Sequence, residues 1–85
     1  MTVDKTANPG PPRTLMQAHD ELVRIRPSRD ASLAAWLAYY QRSAALYVEL
    51  AEIDRGHHHE CLYWAERERE NAEEIAAQIR TERAK

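Results

Sequence analysis

The sequence predicts an all-α protein: a long antiparallel helical hairpin with a short N-terminal helix packed on it. Three observations carry this reading. Apolar residues recur at helical spacing on both sides of Asp54-Arg55-Gly56, the only glycine outside the N-terminal tail sits at that junction, and all prolines precede residue 28. A junction this short leaves the second long helix to run back along the first. Gly56 is expected to close the first by taking the left-handed conformation, which a residue without Cβ adopts freely.

Residues 1–13 hold three of the four prolines and one of the two glycines, with little apolar material. Such a stretch cannot bury enough surface to offset its ordering entropy, so a disordered tail is expected there and a single helical domain over 14–85. Thr14-Leu15-Met16-Gln17 fits a capping box, the threonine hydroxyl accepting from the third helical N–H while the glutamine reaches back. Leu15, Ala18, His19, Leu22 and Ile25 then form one stripe of a helix expected over 15–26, which Pro27 terminates. A helix of about ten residues does not hold in isolation, so its stripe must lie on the hairpin. His19 reads as a partly covered packing residue with one hydrogen bond.

The second helix is expected over 31–54, capped by Asp30 or Ser32. Its wheel is unusually apolar. Leu33, Trp36, Leu37, Tyr40, Ala44, Tyr47, Val48 and Ala51 form one broad face, and Tyr39, Leu46, Leu50 and Ile53 a second flank. Only a narrow polar arc around Gln41, Arg42, Glu49 and Glu52 remains, so one partner helix cannot cover the apolar sector. The returning helix, expected over 57–83, has a thin stripe of Cys61, Trp64, Ala65, Ala72, Ile75, Ala76 and Ile79 beside a charged face. Glu68 falls on the inner stripe and reads as a paired structural carboxylate.

Composition narrows the function classes. The net charge is −2 with acids and bases interspersed, so no basic surface is available to neutralise phosphates, and no nucleic-acid partner is expected. No apolar run approaches the roughly 20 residues of a membrane span, and no charged-then-apolar leader follows Met1, so a cytoplasmic protein without a membrane partner is expected. The single cysteine, Cys61, precludes an intrachain disulfide. No cofactor is implied.

His57-His58-His59-Glu60-Cys61 has a metal-ligand composition. His57 and Cys61 lie four apart on a helix and His58 and Cys61 three apart, so these donors share a face, and Glu52 before the turn could join them to hold zinc or iron. Four convergent ligands are not specified by spacing, however, and a polar helix start explains the cluster as simply. A ferritin-like diiron site requires Glu-x-x-His pairs, which are absent. A nucleophilic Cys61 lacks any indicated orienting group or oxyanion site, and no enzyme is expected. Tyr and Trp suit half-covered positions and binding surfaces. Tyr39 and Tyr63 point away from the hairpin seam by periodicity, and with Leu46, Leu50 and Ile53 they form the expected partner-binding surface.

Two resemblances add to this reading. Gly56-His57-His58-His59-Glu60-Cys61-Leu62-Tyr63-Trp64-Ala65-Glu66-Arg67 resembles the second helix of a tetratricopeptide repeat, with Cys61 at the small position, then Leu62 and Ala65. The preceding helix is about two residues out of register and no second copy follows, so the implication is a related shape used for protein contacts. Trp36-Leu37-Ala38-Tyr39-Tyr40-Gln41-Arg42-Ser43 with Asp54-Arg55-Gly56-His57-His58-His59-Glu60 resembles a family of small uncharacterised actinobacterial helical-hairpin proteins. This implies a bacterial cytosolic protein and transfers no catalytic residues. The expected function is a non-enzymatic interaction or regulatory module whose partner is a protein or a second copy of itself.

Overall fold

The computed structural model describes residues 10–85, so residues 1–9 of the expected tail lie outside the described residues. The described chain is all-helical with no strand: α1 spans Leu15–Arg24, α2 Leu33–Ile53 and α3 His58–Ala84, with a 3-10 turn over Arg55–His57 joining the last two.

Local chemistry sets each boundary. At α1 the Gln17 N–H donates to the Thr14 hydroxyl at 3.1 Å, and the Gln17 side chain reaches back to the N–H of Arg13 at 2.9 Å, one residue before the cap itself. The helix ends at Arg24, two residues before the expected Arg26: Ile25 is its C-cap, and Arg26, directly before Pro27, is disfavoured from helical geometry. Ser32 rather than Asp30 caps α2, accepting from the Ala35 N–H at 3.1 Å.

The link between α2 and α3 differs from expectation. Gly56 does not occupy the left-handed region; it lies inside the 3-10 turn, where the His57 N–H donates to the Asp54 carbonyl at 2.9 Å. A Cβ built on Gly56 would meet nothing within 4 Å. The turn therefore closes through i→i+3 bonding, and glycine is not required for it.

α2 and α3 pack on each other along their length, and α1 runs back along α2 from Asp54 to Tyr39. Rise per residue makes α2 about 31 Å long and α3 about 40 Å, so the end of α3 overhangs the start of α2. The buried cluster draws Leu15, Ala18 and Leu22 from α1, Tyr47, Leu50 and Ala51 from α2, and Cys61 and Ala65 from α3. Only Leu15, Leu22, Tyr47 and Leu50 bring large side chains to it; alanine and cysteine supply the rest and allow close helix approach. Ser43 is also fully buried, its hydroxyl donating to the Tyr39 carbonyl one turn back at 2.9 Å.

Candidate functional site

The hairpin presents two unlike flanks. On the first, α1 is seated and held at three levels by polar groups of α2 and the turn. Its Leu15 N–H donates to the Asp54 carboxylate at 2.9 Å, His19 Nδ1 shares a 2.7 Å hydrogen bond with the Tyr47 hydroxyl, and the Tyr39 hydroxyl donates to the Leu22 carbonyl at 2.8 Å. α1 carries no acidic residue in its first turn, so a carboxylate 39 positions away supplies the charge that its N-terminus favours. His19 also lies edge-on to Trp64, with ring centroids 5.5 Å apart. Beyond the end of α1, the Arg26 guanidinium stacks over Trp36 at 5.4 Å, and Trp36, Tyr39 and Tyr40 form an aromatic cluster.

The electrostatics follow from this packing. Burial, reinforced by the nearby Glu68 carboxylate, pushes the Tyr47 phenol up to about 12, and the same two causes raise Tyr39. The Leu15 N–H, with help from His57, holds the Asp54 carboxyl below its ordinary value. Burial, with Asp54 and Glu60 nearby, raises the Cys61 thiol and so disfavours the thiolate a nucleophile or metal ligand requires. Glu68 is half-buried as expected, and the amide of Asn71, rather than a cation, donates to it at 2.9 Å.

The expected partner surface is corrected by this arrangement. Leu50 is fully buried, and Tyr39 and Leu46 pack on the core beside α1, because the short helix covers the flank they share. Ile53 and Tyr63 remain 41% and 53% exposed. The second flank, on the other side of the hairpin seam, is the one left open. Val48, which periodicity places toward the seam, is 53% exposed, and Leu62 across from it is 41% exposed. Together with Ala44, Ala45 and Ala65 they line a shallow groove of about 360 Å³ whose far rim is Glu66 and Arg69. Along the helix Val48 has Ala44, Ala45, Ala51 and Glu52 as neighbours, three small residues and one charge. That mixed neighbourhood was the available sign of its exposure.

The expected metal set does not assemble. His57 Nδ1 donates to Asp54 at 3.0 Å, His58 Nδ1 to the Ala51 carbonyl at 2.8 Å, and Glu52 pairs with Arg55, while Cys61 is enclosed in the core. Among the described residues no group of three His, Cys, Asp or Glu side chains could hold a metal ion. The two histidines instead tie the turn to the end of α2. No described helix is long and apolar enough to cross a membrane. Set beside known proteins, the chain matches no family model, no curated protein and no solved structure.

Proposed function

We propose that this protein is a non-enzymatic helical-hairpin interaction module that docks a protein helix along its open flank, a second copy of the chain being the simplest occupant. The observation behind this reading is the pairing of Val48 and Leu62, two large apolar side chains facing solvent across one groove, beside a core with only four large side chains. A domain of this size gains little from one small core, and covering a second apolar face adds to it. The rim residue Arg69 is already paired with Glu66 and Glu73, so docking there would desolvate methyl groups rather than lone charges.

Sedimentation over a wide concentration range, with the double substitution Val48→Glu and Leu62→Glu, tests this. Association that the native chain shows and the double variant lacks supports the reading. A native chain that stays monomeric and captures no protein through this face refutes it.

A further inference from the structure

The flank beneath α1 carries a second inference, independent of the open groove. α1 is anchored by few side chains: Leu15, Ala18 and Leu22 are buried, whereas Met16 and Val23 face solvent. The α2–α3 hairpin packs over a far greater length and does not pass through α1. The surface under α1 is nevertheless specific for a helix. It places Asp54 where the helix begins, the Tyr47 hydroxyl at its middle and the Tyr39 hydroxyl where its carbonyls end, with Leu46 and Leu50 between. An occupant of known chemistry is thus seated in this groove, tethered only by residues 25–32.

We propose that α1 is an exchangeable strap: it leaves the intact hairpin as a unit, and the vacated groove is refilled by α1 of a second copy. Every contact made within the chain can be remade between two chains, so the tether's effective concentration alone favours the closed monomer. Direction agrees as well. α1 runs antiparallel to its own α2, since Leu15 meets Asp54 and Leu22 meets Tyr39. If the connector straightens, α1 points along its own α2 and meets an antiparallel partner's α2 in that same orientation.

Cys61 is a built-in reporter of the opening. It is fully buried in the cluster with Leu15, Ala18 and Leu22, so a thiol reagent reaches it only when that cluster opens. In the native chain, Cys61 labelling at low urea should depend on urea less steeply than global unfolding, and Leu22→Ala should speed it by more than about tenfold without loss of hairpin helicity. Labelling that follows global unfolding with its full urea slope overturns the strap.

The exchange is read from a chain in which Pro27→Ala, Ser28→Ala and Asp30→Ala extend helix through the connector and disfavour folding back. It should sediment as a dimer with Cys61 still protected; a monomer, or a dimer with Cys61 reactive, overturns the exchange. Repeating the measurement with Val48→Glu and Leu62→Glu separates the two surfaces. An exchanged dimer persists in that background, whereas a dimer that dissolves there belongs to the open flank and overturns the exchange.

Discussion

The two flanks of α2 offer a third helix different things. Toward α1 the hairpin presents two phenol hydroxyls and a carboxylate, spaced among Leu46 and Leu50. Toward the open side it presents the methyl groups of Ala44, Ala45, Val48 and Leu62, with the nearest charges, Glu66 and Arg69, engaged with each other. A short helix arrives with unpaired N–H groups at its start and unpaired carbonyls at its end. It is seated where a carboxylate meets its start and a phenol hydroxyl meets its end, in addition to burying Leu15, Ala18 and Leu22.

That contrast is sharpened most by truncating one residue on each side. Leu50→Ala removes a fully buried side chain and should lower unfolding free energy by about 2–5 kcal/mol in urea denaturation. Val48→Ala on the open flank should stay within about 0.5 kcal/mol. Equal losses would erase the distinction between the flanks.

Tyr47→Phe should cost about 0.5–1.5 kcal/mol at neutral pH by removing the hydrogen bond to His19. It also has an alkaline signature. Because Tyr47 is raised from 10.0 to about 12, the unfolded chain ionises first, and the stability it contributes is full below pH 10.0 and lost as pH rises toward about 12. The phenylalanine variant should show a shallower loss across that window in pH-dependent thermal melts.

Asp54→Asn should have a smaller effect, since an amide oxygen can still accept from Leu15, and that effect should be largest at pH 7 and shrink in acid. A carboxyl held below its ordinary value contributes stability above the unfolded pKa and loses it as pH falls through the folded one. The native chain should therefore lose thermal stability on acidification more steeply than the asparagine variant. The smallest change, and the only stabilising one, is Gly56→Ala. With ordinary backbone geometry and open space at the Cβ, it should raise unfolding free energy by roughly 0.4 kcal/mol through the unfolded chain's entropy.

Much of the helical layout was legible locally. Thr14, Ser32 and Pro27 announce helix ends through side-chain oxygens and a missing N–H, which act within a few residues. The surplus of apolar residues on α2 was legible too, as was the need for a second neighbour beside α3. The partner surface was less legible. Periodicity places Leu50 on a flank and Val48 near the seam, but the distance of a flank from solvent depends on where α1 comes to rest. Similarly, His57, His58 and Cys61 share a helical face on paper, yet Asp54 and the Ala51 carbonyl occupy the histidines while packing encloses the thiol.

The sequence by itself determined that the described chain is helical, where its helices begin and end to within about two residues, and that α2 is too apolar for a single neighbour. These follow from propensity, capping and periodicity, all short-range. Which flank is closed, which is open, and that the histidine cluster braces a turn were decided only by tertiary structure. The reason is that Asp54, Tyr47 and Tyr39 meet the ends and middle of α1 from far along the chain, and no local pattern records that meeting.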